Sequence, residues 1–167
     1  MDPHFRMATG SDLELVKQTL YLALSWDPAE PIPPFDQVVD HPELALYHRD
    51  WMRPGDAGVV AEFGGSFAGM AYYRMFSDDE HGQGFLDAAT PELAIAVVPE
   101  HRGRGIGGRL LSLLHDAARR DGIEQISLSV HAGNPAGHLY ERHGYMPAPG
   151  DDDELMVVRL GPHTGEA

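Results

Sequence analysis

A chain of 167 residues fits one domain with its own core, and a formal charge of −14 excludes a generic nucleic-acid binder, which needs a basic footprint. The absence of cysteine excludes disulfides, thiolate metal sites and a cysteinyl acyl-enzyme. No run nears the roughly 18 apolar residues of a membrane span, and "MDPHFRMATGSDLEL" lacks the blocks of a signal peptide, so a soluble, cytoplasmic protein is expected.

In chain order, "FRMAT" reads as a first strand. A helix follows in "GSDLELVKQTLYLAL", with Ser11 or Asp12 as N-cap and Leu13, Val16 and Leu20 at helical spacing. "SWDPAEPIPPF" is a Pro-rich loop, and a second helix is expected around His41 to Trp51. "AGVVAEFGGSFAGMAYYRM" predicts a hairpin turning at Gly64-Gly65, and "SDDEHGQGFLDAATP" a polar connector to the strand "ELAIAVV". From Gly105 the pattern is helical, with Ile106, Leu110, Leu113, Leu114 and Ala117 on one face, until Asp121-Gly122. "ISLSV" alternates as a strand. "NPAGHLYERHGY" is a helix with Asn134 as N-cap, Pro135 at the first position and Gly144 as C-cap, and "ELMVVRL" is a last strand. The order β-α-α-β-β-β-α-β-α-β is that of an α+β or mixed α/β sheet domain spanning 1–167.

The stretch "VVPEHRGRGIGGRLL" carries the chemistry. Arg102, Arg104 and Arg109 make a positive island in an acidic chain, and no acid lies between His101 and Leu114. Gly103 and Gly108 have P-loop spacing, but Arg109-Leu110 stands where that loop needs a lysine and a hydroxyl. Gly103, Gly105 and Gly108 also spell a dinucleotide fingerprint. Pro99 to Arg102 separate it from its strand, however, and Glu124, near the expected distance of about 20 positions, precedes the next strand instead of ending it. The remaining frame is R-x-x-G-x-G, formed by Arg102, Gly105 and Gly107 after Val97 and Pro99. Bare glycines at a helix start turn backbone N–H groups toward an anion, and the rim arginines suit a pyrophosphate held without a metal.

That frame resembles the acyl-CoA-binding signature of the GNAT superfamily of N-acetyltransferases. A second landmark agrees: Asn134, Leu139, Tyr140, Gly144 and Tyr145 fall on the family's N-x-x-A-x-x-L-Y-x-x-x-G-F/Y segment, with Gly137 in the alanine position. The resemblance is strong from Glu92 to Leu160, weaker at "FRMATGSDLELV", and absent from Ser25 to Asp56. It implies a mostly antiparallel sheet of about six or seven strands with about four helices, splayed between the fourth and fifth strands.

The resemblance further implies acetyl-CoA as co-substrate. It would lie along Ile95, Ala96 and Val97, with its pyrophosphate on Arg102, Gly103, Arg104, Gly105, Ile106, Gly107 and Gly108, and with Asn134 and Tyr140 close by. Tyr140 stands where the family places its general acid, and an amine would attack the thioester directly. A lysine-like ammonium costs roughly 4–5 kcal/mol to neutralise at pH 7, so a base is needed. Glu92 opens the strand on the face of the small Ala94 and Ala96 and is that candidate, with Asp87 and His131 in reserve. The acceptor side falls to the uncovered segment, where Trp26, Tyr47, Trp51 and Asp56 are expected to shape a pocket for a small-molecule or peptide amine. The ten histidines show no metal-binding spacing, so no metal is expected. No nucleic-acid or membrane partner is expected; homodimerisation stays open, and a non-catalytic acyl-CoA-binding regulatory domain is the alternative.

Overall fold

Apolar alternation and short apolar runs line up as one seven-stranded sheet in the computed structural model, which describes residues 2–150 and 152–161. The strands are β1 (His4–Met7), β2 (Ala57–Phe63), β3 (Ser66–Arg74), β4 (Glu92–Val97), β5 (Gln125–Ser129), β6 (Met146–Pro147) and β7 (Leu155–Arg159). Their spatial order is β1-β2-β3-β4-β5-β7-β6, and every neighbouring pair is antiparallel except β4 with β5. Five helices accompany them among the described residues: α1 (Leu13–Leu24), α2 (Phe35–Val39), α3 (Pro42–Ala45), α4 (Ile106–Arg120) and α5 (Ala136–Arg142). The mixed, mostly antiparallel architecture expected from the sequence is present, and no helix among the described residues is long and apolar enough to cross a membrane.

Each sheet face has its own core. Ile106, Leu110, Leu111, Leu114 and Ala118 of α4 bury against Val59, Ala71, Tyr73, Leu93 and Ile95. Val16 of α1 packs on the other face with Ala8, Val60, Met70 and Tyr72. Fully burying one such side chain stabilises the fold by about 1.5–3 kcal/mol. The hairpin turns where expected, with Gly64 at φ 62° and Gly65 at φ 85°, the left-handed pair that matches the twist of β2 and β3.

Three local features differ from the sequence reading. Asp12 holds the N-cap position of α1, one of the two expected, but makes no side-chain capping bond there; the capping bonds fall one turn earlier, where Thr9 caps a 3-10 turn over Gly10–Asp12 and Asp12 accepts from the Thr9 N–H. The helix expected around His41 to Trp51 is only the four residues of α3; turns follow it, in which Asp50 (φ 58°) and Met52 (φ 73°) are left-handed. The Pro-rich loop in turn ends in α2, and a short edge strand, β6, pairs with β7.

Sheet continuity is thinnest at its centre. β4 and β5 share a single registered pair, Glu92 with Ser127. Beyond it β4 is paired only with β3, from Leu93↔Tyr73 to Val97↔Gly69, so its other edge has no strand partner. This is the expected splay.

Candidate active site

At the end of β4 the chain makes a 3-10 turn over Pro99–His101 and enters the glycine loop. Arg102 is extended, and its Nε donates to the Val97 carbonyl at 3.0 Å, which anchors the loop to the strand. Gly103 (φ 77°) and Gly105 (φ 80°) are left-handed, with nothing within 4 Å of where a Cβ would stand. Conformation, not crowding, selects glycine at these two positions; a side chain would cost about 1–2 kcal/mol. No backbone N–H from Gly103 to Gly108 has an acceptor among the described residues; the ladder begins with Arg109 N–H donating to Gly105 at 3.1 Å. The first turn of α4 holds no acid and no side-chain cap. Arg102, Arg104 and Arg109 are exposed and form no ion pair among the described residues. Free N–H groups, a helix dipole and three unneutralised guanidiniums make a strong anion cradle. On its rim the Phe63 ring has Arg104 at 5.1 Å and His101 stacked at 4.8 Å.

The other two glycines have a different task. A Cβ on Gly107 would stand 3.1 Å from Leu139 Cδ2, and one on Gly108 would stand 3.2 Å from His143 Nε2. They let α5 dock on the first turn of α4, so their lack of a side chain serves helix packing. A second tie joins α4 to the segment just after α5: the buried His115 Nε2 lies 2.9 Å from the Tyr145 hydroxyl. Burial lowers the His115 pKa to about 4, aided by Arg119 and His143 nearby.

On the opposite sheet face, Glu92 is 6% exposed. Its Oε2 accepts a 2.6 Å hydrogen bond from the Tyr47 hydroxyl, and its Oε1 is buried without a partner. Burial pushes its carboxyl up to about 6, against the opposing pull of Tyr47, the Gly84 backbone and His81. The connector between β3 and β4 crosses close above. Gln83 N–H donates to the Tyr47 oxygen at 3.1 Å, and Ser127 Oγ donates to the Gly84 carbonyl at 2.6 Å. A Cβ on Gly82 would collide with the Tyr47 hydroxyl, and one on Gly84 would stand 2.9 Å from Glu92 Oε2. The "HGQG" glycines were the available sequence signal for this approach, but nothing local named their target. Tyr72 lies on the same face, opposite Ala94, and its buried hydroxyl is unpartnered as well.

The remaining expected site residues separate. Tyr140 is 7% exposed within the α4-side core, near Tyr145 with ring centroids 5.7 Å apart. Its pKa is raised by burial alone. Asn134 accepts the Ala136 N–H at 3.0 Å just ahead of α5, whose N-cap position is held by Pro135 and not by Asn134 as expected. It borders a depression of about 400 Å³ beside His131, His138 and Met156. Trp26 is half-buried with its ring 5.9 Å from that of His131. Trp51 braces the fold: its indole N–H donates to the Thr9 carbonyl at 2.9 Å and its ring meets Tyr72 edge-on. Asp56 departs from the expected pocket role. Its side chain is fully buried against Arg74, Oδ1 accepting from Nε at 3.0 Å and Oδ2 from an amino nitrogen at 2.7 Å. Asp87 caps the turn before β4, accepting from Ala89 N–H and Thr90 Oγ. No cluster of metal-ligating side chains occurs among the described residues.

The family model for the Acetyltransferase (GNAT) family matches residues 21–145. The chain belongs to the GNAT acetyltransferase family. It is an acetyl-CoA-dependent N-acetyltransferase, acting on an amine. The curated protein L-amino acid N-acyltransferase MnaT of Escherichia coli (strain K12) is 30% identical over 128 residues, which are 76% of this chain and 67% of that relative. Mycothiol acetyltransferase of Propionibacterium freudenreichii is 29% identical over 100 residues, 58% of this chain, and the match spans only 30% of that longer relative. Among solved structures, yncA from Salmonella typhimurium with its cofactor acetyl-CoA superposes with a TM-score of 0.65 at 24% identity, covering 100% of this chain and 99% of that one.

Proposed function

We propose that this chain is a single acyltransferase domain in which Glu92 is the general base, Tyr140 the general acid, and the Arg102–Gly108 loop the seat of the donor pyrophosphate. The observation that carries the reading is the run of unaccepted N–H groups from Gly103 to Gly108, set among unpaired arginines at the edge of β4 that has no strand partner. When bound, acetyl-CoA supplies the thioester carbonyl that the amine attacks. That edge, through Ile95, Ala96 and Val97, offers amide partners to its pantetheine arm, and Asn134 stands across the splay at the start of α5.

With no cysteine in the chain, a single direct displacement is the economical route. Glu92 receives the acceptor ammonium's proton at Oε1, its one unpartnered oxygen. A carboxyl with a pKa near 6 is ionised at neutral pH yet more basic than an exposed one. Tyr140, whose burial keeps its proton on, gives a hydrogen bond or that proton to the departing sulfur. The acceptor is a small-molecule or peptide amine, and no metal takes part.

The test is thermal stabilisation by acetyl-CoA, CoA and NAD, then release of free thiol with spermidine, β-phenylethylamine, L-phenylalanine and an alanyl peptide amide. Stabilisation by CoA ligands and thiol release with at least one amine are expected. No response to any CoA ligand refutes the reading. Stabilisation without turnover, unaltered in Tyr140→Phe, supports the non-catalytic CoA-binding alternative.

A further inference from the structure

Tyr47 lies between Ser25 and Asp56, where the sequence shows no recognisable motif although the family model spans it, and the structure brings it to a carboxylate 45 positions away in sequence. Its hydroxyl is used in both directions: it accepts from the Gln83 N–H at 3.1 Å and donates its one proton to Glu92 Oε2 at 2.6 Å. The loop carrying Gln83 is itself fixed, since Gly84 is tied to Ser127 of β5. Both glycines of that loop are required for its approach. The chain therefore builds a donor relay, Gln83 to Tyr47 to Glu92, that fastens one carboxylate oxygen and leaves the other free.

We infer that Tyr47 is the positioning residue of the acceptor site, holding the Oε2 edge of Glu92 so that Oε1 faces the incoming ammonium. The inference rests on the proposed role of Glu92 as base. Three further titratable or charged groups face Glu92. Tyr72 and Arg74 come from β3, and His81 comes from the connector. Arg74 is committed to Asp56 and to the Leu46 and Arg49 carbonyls, so it offers no proton path. β5 contributes the non-titrating Ser127, and the buried residues of α1, Val16, Thr19 and Leu20, do not titrate. Tyr47 is therefore the one neutral donor on the carboxylate that a substitution can remove without adding charge. A bond to the ionised form favours that form, so its loss moves the titration of Glu92 upward.

The experiment is a pH titration of the full chain saturated with CoA. Infrared absorption of the protonated carboxyl assigns Glu92 as the band missing from Glu92→Gln, and kcat/KM is followed with the fastest of the four amines above. Tyr47→Phe is expected to raise the Glu92 midpoint and the acidic limb together by roughly one pH unit. Activity at pH 6 then falls about fivefold more than activity above pH 8, while acetyl-CoA affinity changes by less than about threefold. 3-Fluorotyrosine placed at position 47 is a stronger donor of nearly equal shape, and it is expected to shift the midpoint downward. That opposite sign cannot come from loss of structure, so it decides the matter even if the phenylalanine variant does not fold. A midpoint unmoved by both replacements, or a uniform drop at every pH, overturns the role of Tyr47. If Glu92→Gln keeps the limb, the base assignment falls and this inference with it. If Glu92→Gln loses the limb while the Tyr47 replacements leave it in place, this inference alone falls.

Discussion

Replacing Asp56 by alanine separates a structural carboxylate from a substrate-binding one. The side chains of Asp56 and Arg74 are 0% and 1% exposed, and two hydrogen bonds join them. Asp56 Oδ2 also accepts the Met52 N–H at 2.9 Å and the Arg53 N–H at 3.1 Å. The alanine variant leaves a guanidinium buried without its anion and the Met52 N–H unaccepted, while the Arg53 N–H keeps its 3.1 Å bond to the Asp50 carbonyl. Breaking a buried pair from one side costs about 3–5 kcal/mol. That is a large share of a total stability of about 5–15 kcal/mol, and for a chain of this length it lowers Tm by about 6–20 °C. Urea denaturation at pH 7, followed by circular dichroism, measures the loss directly, and acceptor kinetics on the folded fraction provide the second readout. A loss below about 1 kcal/mol combined with a raised acceptor KM would refute the structural assignment, because an acceptor-binding carboxylate gives that pattern.

Other expectations follow from the same geometry. In the wild type, kcat/KM for the acceptor rises with pH through about 6, as Glu92 loses its proton, and Glu92→Gln abolishes that limb; a pH–rate profile of each checks it. His115 has its folded pKa lowered from 6.5 to about 4, so the unfolded chain binds the proton first as pH falls. The stability held above pH 6.5 is therefore lost toward pH 4, by about 3 kcal/mol for this group, and His115→Gln flattens that slope in denaturation curves at pH 7 and 4.5. Arg102→Ala weakens acetyl-CoA severalfold in calorimetry and reduces the salt dependence of binding, with Tm unchanged within about 2 °C, because its side chain is exposed. Gly105→Ala destabilises by about 1–2 kcal/mol through its left-handed backbone, read in urea denaturation, and weakens the donor as well.

Much of the fold was legible because the signals are local. Gly64-Gly65 fixes a hairpin with two residues, and the apolar stripe of α4 fixes both a helix and the face it buries. The glycine loop was legible as an anion site but not in its division of labour. Left-handed Gly103 and Gly105 and packing-limited Gly107 and Gly108 look alike as letters, and only the position of α5 separates them. The segment from His41 to Asp56 misled for a physical reason. A helix was expected from His41 to Trp51, yet Asp50 and Met52 take left-handed conformations, and Asp56 beyond them pairs with Arg74, 18 positions on. A buried ion pair between distant residues overrides local periodicity, and no pattern within the segment records its partner. The Tyr47–Glu92 bond was hidden in the same way: each residue drew notice alone, and the fold supplied their meeting.

The single rung between β4 and β5 has a mechanical consequence. One half-sheet runs from β1 to β4, the other comprises β5, β7 and β6, and the ladder joining them ends at Glu92 and Ser127. Below that rung the halves are stapled by Ser127 N–H on the Pro91 carbonyl and by Gln125 Nε2 on Thr90 Oγ; above it they gape. Hydrogen exchange should resolve them as two protection clusters hinged at one residue pair. A donor whose amides bridge the gap would act as an eighth, borrowed strand. In this fold the acetyl carrier then completes the sheet as well as the chemistry, and its departure after transfer restores the hinge.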